Sequence, residues 1–348
     1  MSFLRACSAL WVKSVLAEFP FSVRRAVKEA VYHGFRLAGV PLAGARRLRG
    51  GLVVLTYHRF GTKSAAVLED RVSLSVFRAQ LRFVKRHFDV VRLDEGLASL
   101  EAARARGGRT RPMVSVTIDD GFAEVYYDAW PVLREEGVPF AVFLPTDFLD
   151  TGRPPWPSEL ALIISGSGGR LTLPSAHAPA SAMTRKRRQE QLLSLKRELA
   201  VLPPDERFRR LDLLASEVGR RGARGELSPL SWHQVRELAN AGALIGSHAV
   251  YHSRLTDINV QEALTELRLS KKRIQEETGQ SVMAVAYPDG ACSPEVSNLA
   301  RCAGYSIGLT QVRGCNSAAT DRLEMKRVQV PGGESVATFA CRVTLTAW

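Results

Sequence analysis

Several short stretches of the sequence carry side chains able to do acid–base or metal chemistry. Thr117-Ile118-Asp119-Asp120-Gly121-Phe122 ends an apolar run with two adjacent carboxylates and a glycine. Neighbouring strand residues point in different directions, so one carboxylate can ligate a metal while the other reaches nearby water. Asp and Gly are also the ordinary composition of a strand-to-loop turn. Gly246-Ser247-His248-Ala249-Val250-Tyr251-His252 follows a second apolar run. Helical metalloproteases share the H-x-x-x-H spacing, but Ala249 stands where their motif needs Glu, and the lead-in reads as strand. Two imidazoles with one carboxylate form a three-ligand set with an open position, the pattern of a catalytic zinc. Ala286-Tyr287-Pro288-Asp289-Gly290 closes a third run with a turn that can aim the Asp289 N–H at a developing oxyanion. Leu55-Thr56-Tyr57-His58 ends the first run with a lone histidine, a residue that at such a place more often plays a structural part.

These stretches need a frame that gathers them. Strand-like runs at 52–57, 89–93, 113–118, 140–144, 243–246, 282–287, 305–310 and 327–330 alternate with helical patterns at 76–88, 94–104, 124–136, 232–240, 260–278 and 294–302. Ser75 reads as a cap for the first of these helices. The alternation predicts an α/β fold with a parallel sheet. His58, Asp119, Asp120, His248 and the 287–290 turn then all lie at C-terminal strand ends, the catalytic face of a (β/α) barrel. Residues 151–230 break the rhythm with Pro154, Pro155, Pro157, a Gly-Ser run and two basic helical segments, and read as an insertion or lid. The division expected is a basic N-terminal helical arm over 1–50 and a barrel over 51–348, interrupted by that insert.

The 348 residues, 45% hydrophobic and 24% charged, exclude disorder and a small disulfide scaffold. Five cysteines without a C-x-x-C pair argue against a zinc ribbon. The net charge of +13 is localised: residues 1–50 carry nine basic and two acidic side chains, and 183–224 carry twelve and six. The segments between and after them are neutral, which argues against nucleic acid as a partner. No run reaches the ~18 apolar residues of a membrane span. Residues 2–19 read as an amphipathic helix, and Lys13 cuts the apolar run 6–12 with no small-residue cleavage site after it. The expected location is cytoplasmic or peripheral to the inner membrane, with the basic segments docking on an anionic membrane surface or a phosphate-bearing lipid carrier.

Taken together, the motifs resemble those of the polysaccharide deacetylases of carbohydrate esterase family 4, which share a domain with the nodulation-type chitooligosaccharide deacetylases. T-I-D-D-G-F resembles the family's T-F-D-D-G, G-S-H-A-V-Y-H its H-[ST]-x-x-H, and A-Y-P-D-G its R-x-P-[YFW]-G. The layout, with L-T-Y-H at the front, resembles the biofilm poly-N-acetylglucosamine deacetylases. The resemblance implies a distorted (β/α) barrel with a helical insertion, and metal-dependent hydrolysis of an N-acetylated sugar in a glycan or lipid-linked glycan. It implies Asp119 as general base, His58 as general acid, and Asp120, His248 and His252 as ligands of a divalent metal, Zn2+ being the expected ion. The Asp289 amide would hold the oxyanion. Tyr287, Pro288 and Trp156 would face the sugar, and Arg327 would replace the base-orienting arginine whose usual place is taken by Ala286. Ala249 removes a hydroxyl that usually braces the histidine loop. The competing expectation is a catalytically degenerate glycan-binding protein on the same fold.

Overall fold

The runs 52–57, 113–118 and 140–144 are apolar without alternation, as strands covered on both faces must be. In the computed structural model, which describes residues 29–30, 34–35, 39–61, 71–106, 111–167, 185–219 and 227–345, they form β1 (Leu52–Tyr57), β3 (Met113–Ile118) and β4 (Phe140–Leu144). The other strands are β2 (Asp89–Val90), β5 (Leu244–Ser247), β6 (Ala284–Ala286), β7 (Ile307–Arg313) and β8 (Met325–Gln329). Every strand pairing is parallel, in the order β1-β8-β7-β6-β5-β4-β3-β2. β1 also pairs with β3 over its whole length, Leu52 opposite Met113 to Tyr57 opposite Ile118, so the sheet curls into a barrel. The barrel is distorted: β5 and β6 share only Ser247 opposite Val285, and β7 slips against β8 between Leu309 and Arg313.

Strand alternation sorts the apolar side chains into two cores. Val53, Leu55 and Tyr57 of β1 face the outer helices, packing in one cluster with Phe77 and Leu81 of α2 (Leu74–His87) and Leu267 of α10 (Val260–Thr278). Leu52 and Val54 belong to a second cluster with Phe143, Ala286 and Leu309, closed by Leu93 and Leu97 of α3 (Leu93–Arg106). Upstream, α1 (Val40–Arg47) packs on α12 (Val336–Thr344).

Local chemistry sets the helix limits. Ser231 caps α9 (Trp232–Asn240) with a reciprocal pair, its Oγ accepting from the Gln234 N–H and its own N–H donating to Gln234 Oε1. Asn259 caps α10, and Ser293 caps α11 (Pro294–Cys302). Two local expectations change. The first long helix begins at Leu74 after Ser73, not after Ser75. The pattern at 124–136 splits into a π-turn at Val125–Ala129 and α4 (Trp130–Glu136), because Pro131 offers no N–H and its ring crowds the carbonyl one turn back. After α5 (Thr146–Thr151), Pro154 and Pro155 lie outside any helix, and the insert's first helix, α6 (Trp156–Gly166), starts right after them with Pro157 in its first turn, where a missing N–H costs nothing.

Between β4 and β5, α6 is joined by α7 (Arg185–Ala200) and α8 (Pro204–Glu217). The three share their own apolar cluster, which includes Trp156, Leu160, Leu195, Leu199, Leu211 and Leu214. The expected N-terminal helix over 2–19 lies outside the described residues. Among the described residues, no helix is long and apolar enough to cross a membrane.

Candidate active site

The C-terminal strand ends supply the polar residues. The Asp119 N–H donates to the Tyr57 carbonyl at 2.9 Å, the last step of the β1–β3 ladder, and Asp120 then leaves the strand in the left-handed region (φ 74°). That turn separates the two carboxylates. Asp119 meets Arg327 of β8, whose Nη1 donates to Oδ1 at 2.9 Å and lies 2.8 Å from Oδ2, with both side chains buried. Arg327 Nε donates to the Thr310 carbonyl at 2.8 Å, which fixes the guanidinium. His58 stands on the open side, its Nε2 4.0 Å from Asp119 Oδ2.

Asp120 turns the other way. Its Oδ1 lies 3.4 Å from His248 Nε2 and 3.4 Å from His252 Nε2, and the two imidazoles meet edge to face at 4.7 Å between centroids. His248 is locked by its far side: its Nδ1–H donates to the Ala286 carbonyl at 2.7 Å, which fixes the ring with Nε2 toward Asp120. Burial by itself would raise the Asp120 pKa, but the two imidazoles and the charge of His58 override it and hold the carboxyl well below its usual range. Burial pulls the His248 pKa down, yet the facing carboxylates of Asp120 and Asp119 leave it raised.

This donor set suits a divalent cation. One carboxylate oxygen and two imidazole nitrogens lie within 4.8 Å of one another, all on buried residues. At 3.4 Å neither imidazole makes a well-formed hydrogen bond to Asp120 Oδ1, so the buried oxygen keeps its lone pairs for an ion.

The His248–His252 loop is irregular, with Ala249 (φ 64°) and His252 (φ 55°) left-handed. With Asp120 and Asp289 (φ 54°), these are the four described non-glycine residues of positive φ, and all four sit at this site. Backbone groups in the loop need partners, and Glu266 of α10 supplies two. Its Oε2 accepts from the Val250 N–H at 2.8 Å and the Tyr251 N–H at 3.0 Å. Ser247 Oγ accepts from the Ala249 N–H and pairs with Ser270 Oγ, so bracing reaches the loop although Ala249 has no hydroxyl. Glu266→Ala is expected to lower the unfolding free energy by about 1–3 kcal/mol, the cost of leaving such donors unpaired. Denaturant melts of the two proteins would measure it, and an unchanged midpoint would refute the bracing role.

A cleft of about 420 Å³ opens over these groups, with His58, Asp120, His248, His252 and Asp289 in its wall. The Asp289 turn is pressed against β7: Gly290 has φ 67°, and a Cβ there would collide with the Gln311 backbone. The hydrogen bonds of this turn, Gly290 N–H to the Tyr287 carbonyl and Ala291 N–H to the Pro288 carbonyl, leave the Asp289 N–H out. Pro157 and Ser158 of α6 and Lys196 of α7 also line the cleft, with Gln311 and Gln329 from the β7 and β8 side.

Three residues expected to face the sugar do not. Tyr287 is 0% exposed and donates its hydroxyl to the Leu323 carbonyl at 2.9 Å, and Pro288 beside it is buried. Trp156 is 1% exposed in the α6–α8 cluster, with its Nε1–H donating to the His252 carbonyl at 3.1 Å. Tyr287 and Pro288 were placed by their position in the third motif and Trp156 by its position at the edge of the insert, whereas their apolar surfaces are buried in packing. Sequence reasoning also missed Glu266 and Arg207, although both left a trace. Each is a charged residue inside an apolar helical stripe: Ala263, Glu266, Leu267, Ser270 and Ile274, and Arg207, Leu211, Leu214, Ala215 and Val218.

Residues 106–308, which carry the aspartate pair, the histidine loop and the Asp289 turn, match the family model described as polysaccharide deacetylase. The chain belongs to the polysaccharide deacetylase family. Its curated relative YxkH of Bacillus subtilis (strain 168), named as a proposed polysaccharide deacetylase, is 29% identical over 119 residues, 34% of this chain and 43% of that protein. Among solved structures, the deacetylase PplD of Streptococcus pyogenes, determined in complex with acetate, superposes with a TM-score of 0.55 at 18% identity, covering 84% of this chain and 98% of that one. IcaB from Ammonifex degensii gives 0.53 at 19% identity, covering 84% and 97%. At these identities the likeness is one of fold, and it agrees with the curled parallel barrel described above.

Proposed function

We propose that this polysaccharide deacetylase family member hydrolyses the N-acetyl group of an amino sugar in a glycan or lipid-linked glycan, releasing acetate, with a divalent metal held by Asp120, His248 and His252. The observation that carries the reading is the convergence of those three donors on one point of a cleft that also presents His58 and the Asp289 turn, with the Asp119–Arg327 pair behind it. Zinc fits two imidazoles and one carboxylate best, and when bound it supplies Lewis-acid polarisation of the amide oxygen and acidifies water.

The chain's own residues do the rest. Asp119, oriented by Arg327, takes the proton from the water whose oxygen adds to the acetamide carbon. The Asp289 N–H donates to the amide oxygen as it gains charge. His58, at the open edge of the cleft, gives a proton to the sugar nitrogen as the C–N bond breaks, and acetate and a free amine leave. Acetate release from a panel of N-acetylated oligosaccharides and lipid-linked sugars, with and without added zinc, tests the reading. No release from any member, with or without zinc, would overturn it.

An anionic membrane surface is the second partner we propose, on the strength of the basic N-terminal stretch. Residues 1–28 carry five basic side chains and one acidic, enough for electrostatic attraction to anionic lipid. Removing residues 1–28 should weaken binding to phosphatidylserine-containing vesicles by about 10-fold or more at low salt, at roughly 1 kcal/mol per basic residue, while sparing hydrolysis of a short soluble substrate. Vesicle co-sedimentation measures the first effect, and equal sedimentation of both proteins would rule the membrane role out.

A further inference from the structure

The two histidines of the cluster are held in different ways. His248 is pinned through its own ring by the Ala286 carbonyl. His252 is buried, and its Nδ1 has no hydrogen-bond partner among the described residues, so no such bond on the far side of its ring sets its orientation. Metal-binding imidazoles ordinarily rely on such a partner. His252 also sits in a left-handed conformation that neighbours must maintain.

The restraint on its backbone comes from the α6–α8 segment. Trp156, at the start of α6, donates its indole N–H to the His252 carbonyl at 3.1 Å. Arg207 of α8 is 0% exposed, and its Nη1 donates to Ser253 Oγ at 3.3 Å, one residue further on. The same guanidinium donates to the Leu199, Ala200 and Leu202 carbonyls at the end of α7 and lies 5.0 Å from the Trp156 ring centre. A buried arginine is costly unless its donors are used, and here they bind α7, α8 and the histidine loop into one unit. Phe208 extends the seam with an edge contact to the Tyr251 ring at 6.0 Å.

We infer that Trp156 and Arg207 are positioning residues for the His252 metal ligand, so that the helical segment between β4 and β5 sets the metal affinity of the site as well as walling the cleft. The inference rests on the metal reading above and assigns to these two residues the outer-shell role that no side-chain partner of His252 fills. It predicts that the segment and the metal communicate through two hydrogen bonds to residues 252 and 253, not through general packing.

The test is zinc affinity of the full chain by competition with a chromophoric chelator, alongside thermal stability of each variant. Trp156→Phe keeps the ring and removes the N–H. Arg207→Met removes the donors, and Arg207→Lys keeps a charge and some of them. Leu211→Ala opens a cavity in the same apolar cluster without touching the loop. Trp156→Phe and Arg207→Met should each weaken zinc binding by about 10–100-fold, with Arg207→Lys recovering part of the loss and Leu211→Ala staying within about twofold of the parent. Affinities of Trp156→Phe and Arg207→Met within about twofold of the parent would overturn the inference, as would a loss in all variants that merely follows their stability. A parent chain that binds no zinc would overturn the metal reading itself, and this inference with it. Trp156→Phe, the mildest change, keeps the question decidable if the arginine variant does not fold.

Discussion

Asp120→Ala is expected to abolish acetate release and zinc retention together. Asp120 Oδ1 is the atom on which both imidazoles converge, at 3.4 Å each, and the only carboxylate oxygen of the three-donor set. Losing an outer-shell partner ordinarily costs about 10–100-fold in metal affinity, and losing a ligand should cost more. The effect has a second readout in stability. A ligand present at about a hundred times its dissociation constant stabilises the native state by roughly 2.7 kcal/mol. The parent protein should therefore gain thermal stability on adding zinc, and Asp120→Ala should gain almost none. Acetate release that survives this substitution, or survives stripping the protein with a chelator, would sink the mechanism. Intact zinc binding without release in the parent protein would instead favour a glycan-binding role for the same fold.

The second large effect concerns Asp119 and Arg327. Asp119→Asn should lower the turnover rate by about 10²–10⁴-fold, the usual worth of a positioned general base, while zinc content stays near that of the parent. The pair is buried and hydrogen-bonded, so each partner depends on the other. Arg327→Met leaves the Asp119 carboxylate buried without its countercharge, and breaking such a pair from one side costs about 3–5 kcal/mol. Removing both charges in Asp119→Asn/Arg327→Met should cost less than the sum of the two single changes, with a coupling of roughly 0.5–3 kcal/mol in a double-mutant cycle. Urea melts of the four proteins give the coupling. Strict additivity would mean that the two side chains do not form the pair described here, and an Asp119→Asn protein of undiminished rate would exclude the base assignment.

Much of this was legible in the chain. The parallel barrel follows from apolar runs of strand length alternating with capped amphipathic helices, a signal that each segment carries locally. β1, β3 and β4 begin and end where the runs do. The aspartate pair, the histidine loop and the Asp-Gly turn stood out because polar residues at the ends of apolar strands demand a reason, and together they resemble a family whose model this chain matches over residues 106–308. The basic arm was legible only as charge, and most of it lies outside the described residues.

What the tertiary structure decided is how distant side chains meet. The family resemblance suggests Arg327 as the residue that orients the base, but no local pattern fixes its contact with a carboxylate 208 positions earlier, which depends on β1 pairing with both β3 and β8 to curl the sheet. Nor does sequence proximity tell which aromatics face the cleft. Tyr287 lies within the third motif and Trp156 at the edge of the insert, yet burial of their large apolar surfaces draws both into cores, and each spends its one polar group on a backbone carbonyl. Glu266 and Arg207 show the same division. Their presence inside apolar stripes marks them as buried charges needing partners, but the partners sit on another element: loop amides for Glu266, and helix-end carbonyls with Ser253 for Arg207. Strand and helix formation rests on periodicities of two and 3.6 residues that a short window contains. The positions of the metal donors and of the groups that hold them rest on contacts between elements far apart in the chain, which exist only once the barrel has closed.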